Sequence, residues 1–161
     1  MIELPPIALV LVNTLAWLAL HLLIPWAYSR VALASFDPWR GWWRSQSWER
    51  GGDFWDRLVR VRSWKRRAPD GAALFDKGFR KQRLQSRDDP VYLLDFARET
   101  CRAELTHWTV AASSLLFFVW NPAWVGALMV AYGLLANLPF ILIQRTNRPF
   151  VLRLAASGSE S

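Results

Sequence analysis

Arg98-Glu99-Thr100-Cys101-Arg102-Ala103-Glu104-Leu105-Thr106-His107-Trp108 is the stretch whose reading decides the fold. This ionisable run passes without Pro or Gly into apolar residues, so Val91 to Trp120 reads as one long helix. Its first part would ride at a membrane interface and its second would cross outward. Glu104 and His107 then lie inside the crossing, where ionisable side chains are costly and mark a functional site by default.

Outward from this stretch, Asn121-Pro122 is a turn signal with no charged residue nearby, as expected of a short external loop. Residues 123–144 return inward as a second apolar run. A further run at 5–28 is also long enough to span a bilayer, which takes about 20 residues. The Ala32-Leu33-Ala34 triplet raises the alternative of a cleaved signal peptide, but no basic residue precedes the run and Glu3 does. The expected fold class is therefore an all-α integral membrane protein with three transmembrane helices, 5–28, 91–120 and 123–144. A Trp/Arg-rich cytoplasmic interfacial segment fills 30–90. Residues 1–154 form one membrane-embedded domain, and the Ser/Gly-rich 155–161 a disordered tail.

Charge gives the orientation. Of 20 Lys and Arg, 17 fall between Arg30 and Arg102 and the other three are Arg145, Arg148 and Arg153. The positive-inside rule puts the middle segment and the C-terminus in the cytoplasm and the N-terminus outside, as a multi-pass cell-membrane protein. The middle segment carries 10 acids against its 17 cations, so the net +7 arises there. A basic cytoplasmic face suits anionic lipid headgroups or a phosphate-bearing substrate. Nucleic acid competes as the partner of a basic, Trp-rich segment, but the spans tether the chain and the positive-inside rule accounts for the excess, so no nucleic-acid partner is expected.

Trp39, Trp42, Trp43, Trp48, Trp55 and Trp64 sit among arginines, as suits a segment lying on the bilayer. Phe54, Leu58 and Val61, opposite Arg57, Arg60 and Lys65, predict a short amphipathic helix over Phe54–Trp64. Pro69-Asp70-Gly71 reads as a turn, Lys77–Arg87 as a basic helix or loop, and Asp88-Asp89-Pro90 as the cap of the helix that follows. Cys101 has no Cys partner, which excludes an intramolecular disulfide and a Cys-based zinc framework; it reads as a small core residue. In the first span Asn13, Trp17 and His21 share one face at four-residue spacing. His21 is a candidate ligand or proton carrier, against the plainer reading of a histidine hydrogen-bonded between helices.

The Asn121-Pro122 turn makes the last two spans an antiparallel hairpin. Residue numbers at equal depth then sum to about 243 if both helices rise about 1.5 Å per residue. His107 falls level with Asn137, Glu104 near Pro139, Glu99 with Gln144 and Arg145, and Asp95 with Arg148. Asn137, Ile141, Gln144 and Arg148 form one stripe, and Glu104 and His107 are i, i+3 neighbours. Pro139 lacks an N–H and frees a carbonyl near Leu135 to orient a side chain. Glu-x-x-His fits a carboxylate-steered imidazole acting as general base, with Arg and Asn to stabilise developing negative charge. The same spacing fits carboxylate metal sites in bundles, with His107, Glu104, Glu99 and His21 as the ligands to consider. A hydrogen-bonded network that only fixes helix packing is the plainest alternative.

Trp48-Glu49-Arg50-Gly51-Gly52-Asp53-Phe54-Trp55, Val61-Arg62-Ser63-Trp64-Lys65, Pro69-Asp70-Gly71, the Glu99–Trp108 run, Ala136-Asn137-Leu138-Pro139 and Gln144-Arg145-Thr146-Asn147-Arg148-Pro149 together resemble, in order and spacing, the glycosyl-4,4'-diaponeurosporenoate acyltransferases. The resemblance covers roughly residues 13–150. It implies an integral membrane enzyme of carotenoid biosynthesis that esterifies the sugar of a glycosylated carotenoid acid with a fatty acyl chain. The implied partners are membrane lipids, an activated acyl donor such as acyl-CoA and a lipid or glycolipid acceptor, with no cofactor. Carried over by position, the motif residues are Glu49, Trp64, Lys65, Glu99, Arg102, Glu104, His107, Asn137, Gln144, Arg145, Asn147 and Arg148. Thr146 and Phe150 stand where an aromatic and a basic residue are expected of the family, and His21 is not one of its motif positions.

The expected catalytic group is His107, oriented by Glu104, with Glu99 in support. Arg145 and Arg148 would hold phosphate or the oxyanion, Glu99 and Arg102 would orient their neighbours, and Asn137, Gln144, Asn147, Glu49 and Lys65 would complete the substrate-binding set.

Overall fold

The computed structural model describes residues 5–67 and 86–158, and every regular element among them is helical. The helices are α1 (Pro6–Ser29), α2 (Asp53–Val59), α3 (Val61–Trp64), α4 (Pro90–Ser113) and α5 (Ala123–Gly158), joined by short 3₁₀ turns. Pro69-Asp70-Gly71 and most of Lys77–Arg87 lie outside the described residues. Two helices, Pro6–Ser29 and Ala123–Ser157, are long and apolar enough to cross a membrane. Helix α4, carrying Asp95, Arg98, Glu99, Arg102 and Glu104, is not one of them.

Asp89 starts α4 by accepting hydrogen bonds from the Val91 and Tyr92 N–H groups at 2.9 and 3.2 Å, with Pro90 preset at the first helical position. The expected single helix to Trp120 tightens instead into a 3₁₀ turn at Ser114–Val119. Ser113 donates to the Thr109 carbonyl and Ser114 to the Ala111 carbonyl, and hydroxyls that bond back in this way bend helices.

At the opposite end α5 runs past Gln144, where the last span was expected to stop, through Pro149 to Gly158. Ala155–Gly158 are thus helical, and only 159–161 of the expected tail lie outside the described residues. Packing overrides composition here: Val151 seals against Leu93, Phe96 and Ala97 of α4, with Leu152, Leu154 and Ala155 around them. Burying the Leu93, Phe96 and Val151 side chains contributes about 1.5–3 kcal/mol each.

Helix α1 lies antiparallel to α4, because Asn13 meets Asn121 at one end and Tyr28 Oη meets Thr109 Oγ1 at 3.0 Å toward the other. Trp17 stacks on Phe117 and donates to the Met129 sulfur. It can do so because Gly133 has no side chain: a Cβ there would lie 2.9 Å from Ser114 and 3.0 Å from Trp17.

Two expectations for 30–90 change. Phe54–Trp64 is not one amphipathic helix, since Arg60 at φ 52° breaks it into α2 and α3. Asp56 causes the break, its carbonyl taking the Arg60 N–H and its carboxylate the Arg62 N–H. Val61 is consequently buried on Leu142 and Ile143, whereas Leu58 stays exposed. The segment also does more than lie along a surface: its Ser47–Gly52 turn and the Trp42–Trp43 backbone fold over α5. Gly52, at φ 92°, closes that approach, because a Cβ would sit 3.0 Å from the Thr146 Cα and 3.2 Å from the Arg145 carbonyl oxygen. Pro149 lacks the N–H that would otherwise take that carbonyl.

Candidate active site

The α4–α5 interface carries two polar clusters. The inner one is ionic. Glu104 is fully buried (0% exposed), with one carboxylate oxygen accepting from Arg145 Nε at 2.7 Å and the other from Arg148 Nη2. Arg148, 1% exposed, also donates from Nε to Thr100 Oγ1 at 2.9 Å and from Nη1 to the Trp43 carbonyl. Arg145 gives Nη1 to Glu49 at 3.3 Å and Nη2 to the Trp42 carbonyl at 2.7 Å. Glu49, equally buried, also accepts from Trp55 Nε1 and the Gln46 N–H. Two carboxylates balance two guanidiniums, and every nitrogen of both guanidiniums is engaged.

Equal depth puts Glu104 near Pro139, yet it meets residues 145 and 148. Side chains lean toward the N-terminus of their own helix. In an antiparallel pair, Glu104 therefore reaches toward the N-terminal end of α4 while Arg145 and Arg148 reach toward that of α5, closing a separation of about 10 Å along the axes. Short side chains keep the backbone register, as the outer cluster shows.

That outer cluster joins an imidazole to an amide. His107 Nδ1 lies 2.9 Å from Asn137 Oδ1, and the imidazole stacks on Phe140 at 4.8 Å between centroids, only 8° from parallel. Asn137 Nδ2 donates to the Gly133 carbonyl at 2.8 Å. The orienting carbonyl is thus that of Gly133, rather than the one Pro139 frees near Leu135. The Asn137 amide has its donor committed, so its oxygen faces His107. Nδ1 is therefore the donor in this bond.

Other candidates fall elsewhere. Glu104 was expected to orient His107, but both its oxygens are taken by the arginines, and Asn137 holds the imidazole. Glu99 pairs with Arg102 on α4 itself. Lys65 donates to Asn147 Oδ1 at 2.7 Å; burial first, then the nearby Arg62 charge, hold its ammonium below the ordinary lysine pKa. Gln144 stands on the Asn137 face without a hydrogen-bond partner for its Oε1. His21 bonds the Trp17 carbonyl of its own helix rather than a neighbouring helix, and its ring is exposed. Among the described residues no three His, Cys, Asp or Glu side chains come together to hold a metal, so His107, Glu104, Glu99 and His21 do not form a ligand set. Cys101 is fully buried, as a core residue should be.

Participants absent from the sequence reading include Thr100, Phe140, Gln46, Trp55 as a partner of Glu49, and the carbonyls of Trp42, Trp43 and Gly133. Phe140 had a signal, standing three residues after Asn137 on the polar stripe. Backbone carbonyls contributed by a distant loop have none.

These features define a protein whose described residues are helical, with two helices long and apolar enough to cross a membrane and two polar clusters between α4 and α5. The glycosyl-4,4'-diaponeurosporenoate acyltransferase family profile matches residues 39–157. A glycosyl-4,4'-diaponeurosporenoate acyltransferase of Staphylococcus haemolyticus is 30% identical over 140 residues, covering 86% of this chain and 80% of the relative. One from Staphylococcus aureus is 32% identical over 112 residues, covering 69% and 66%. No solved structure matches. The chain belongs to this family and is an acyltransferase.

Proposed function

We propose that the chain is a three-span membrane enzyme, N-terminus outside and C-terminus cytoplasmic, that moves a fatty acyl group from an activated donor such as acyl-CoA to a sugar hydroxyl of a glycosylated carotenoid or similar lipid. The relatives' names supply the reaction and the substrate class. The apolar surfaces of α1 and α5 and the basic middle segment support the topology, with α4 and its 3₁₀ continuation as the third span.

The observation that carries the mechanism is the hydrogen-bonded chain from the Gly133 carbonyl through Asn137 to His107. It orients an imidazole that can act as the base through Nε2. The sugar oxygen attacks the thioester carbonyl as its proton passes to Nε2. The new C–O bond forms, the C–S bond breaks, and the proton leaves on the thiolate sulfur. His107 is the base, Asn137 and Phe140 hold its plane, and Glu104 with Arg145 and Arg148 fixes the two helices at the spacing this geometry needs. Arg145 and Arg148 are scaffolding in this reading, because an incoming phosphate would have to displace bonds they already make. Glu99, Arg102, Lys65 and Asn147 act on the same frame through their own pairs.

The test is a lipidomic comparison of cells carrying the wild-type chain, His107→Ala, or neither. Acylated glycolipid is expected only with the wild type, at equal membrane levels of both proteins. Equal acylation by His107→Ala would remove the base from the mechanism.

A further inference from the structure

Trp48, Phe54 and Trp55 form a mutual edge-to-face trio, with ring centroids 5.2, 5.4 and 5.0 Å apart. Two of the rings are largely uncovered: Trp48 is 53% exposed and Phe54 37%, and Leu58 is exposed as well. Grouped apolar side chains rimmed by charge mark an interaction surface. The third ring fixes the depth of the trio. Trp55 packs on the cluster of Val61, Leu142 and Ile143, and Leu142 and Ile143 are the last apolar residues of α5 before Gln144-Arg145-Thr146-Asn147-Arg148. Gly52 meets the Thr146 backbone just beyond. This is the level at which a spanning helix leaves hydrocarbon for headgroups, where tryptophan is enriched.

Charge around the trio is one-sided. Asp53 and Asp56 are both spent on Arg62, and Glu49 is buried beneath Arg145. Arg50, Arg57 and Arg60 are exposed, and none pairs with a carboxylate among the described residues. Taking α5 as a membrane span, we propose that this aromatic–arginine face of residues 48–60 docks on the anionic headgroups of the leaflet beside it. The exposed rings sit at headgroup depth and the three guanidiniums lie on lipid phosphates, whose geometry suits their forked donors. The spans already retain the chain in the bilayer, so this contact does something else: it holds the Ser47–Gly52 turn down on α5. Trp55 Nε1 donates to Glu49 Oε1 at 2.9 Å, Glu49 accepts from Arg145, and Arg145 pairs with Glu104. The docked face is thereby bonded in series to the ion cluster that fixes α4 against α5. Anionic lipid stabilises the closed turn, because a partner that favours one conformation shifts the population toward it by its differential affinity.

The experiment places the full-length protein in lipid nanodiscs of phosphatidylcholine alone or mixed with phosphatidylglycerol, and follows amide hydrogen exchange across residues 47–62. With phosphatidylglycerol, exchange in the Ser47–Gly52 turn should slow by about 10- to 100-fold, the effect of three arginines at an anionic surface. High salt should remove the difference. The combined variant Arg50→Gln/Arg57→Gln/Arg60→Gln should exchange at the phosphatidylcholine rate in both discs, whereas the corresponding triple Lys variant, which keeps the charge, should retain the dependence. Equal exchange of the wild type in both discs overturns the inference, as does a lipid dependence that survives in the Gln variant. Protection that follows the number of protein copies per disc rather than lipid charge would make the face a contact between chains, which overturns it too. A chain that leaves the discs for the soluble fraction overturns the membrane-span reading itself, a different result from an inserted chain blind to lipid charge.

Discussion

The ion cluster at Glu104 and the imidazole–amide pair at His107 start from neighbouring positions on α4, yet they are built in opposite ways. In the first, all six guanidinium nitrogens of Arg145 and Arg148 and both oxygens of Glu104 are engaged, and charge cancels within the cluster. In the second, an imidazole is clamped at Nδ1 and by one face, and the Gln144 oxygen, a turn along α5 from Phe140, is left without a partner. Saturation holds helices together, whereas the proposed reaction draws on an oriented imidazole with hydrogen-bonding capacity left near it. The residues that look most reactive in the sequence are those the fold has already committed.

This division can be broken by experiment. The largest effect is expected at His107. His107→Gln should lower acyl transfer by about 10²- to 10⁴-fold while leaving the unfolding midpoint in detergent close to that of the wild type. Next, Glu104→Gln leaves two buried guanidiniums short of a counter-charge. It should destabilise the fold by about 3–5 kcal/mol in denaturant titrations, with activity per folded molecule retained within a few-fold. Full stability with lost activity would instead move Glu104 into the chemistry.

Asn137→Leu removes the group that holds the imidazole at Nδ1. Partners that orient an imidazole are commonly worth about 10- to 100-fold, so a loss of that size at unchanged membrane levels is expected. Gly52→Ala adds a Cβ against the α5 backbone at a left-handed position. It should lower stability by about 1–3 kcal/mol, read as a drop in the unfolding midpoint.

The smallest effect belongs to Lys65. Its folded pKa is lowered, so above that value the unfolded chain binds more protons than the native one and stability rises with pH until the ordinary lysine value is passed. Lys65→Met should flatten that rise. A slope equal to that of the wild type would place its origin in another group.

Much of this was legible along the chain, and for local reasons. Periodicity and the uninterrupted Val91–Trp120 run announced a long helix, Asp89-Pro90 its start and Asn121-Pro122 its turn. Equal rise per residue placed His107 opposite Asn137, because both side chains are short and their contact stays close to the backbone register. The same arithmetic misplaced the partners of Glu104, since long side chains on antiparallel helices lean toward one another. It also stopped α5 at Gln144, because the polar exit signal at Gln144–Pro149 ignores what Val151 finds on α4.

What the sequence determined by itself is the helical character, the antiparallel pairing of α4 and α5, the membrane-like segregation of charge and the family. These depend on spacing and composition, which act locally. What only the tertiary structure decided is which polar residues are spent and which are left over. Glu49 and the carbonyls of Trp42 and Trp43 reach α5 across roughly a hundred residues of chain. Hydrogen-bond capacity is satisfied by whichever group arrives in space, not by the group nearest in sequence.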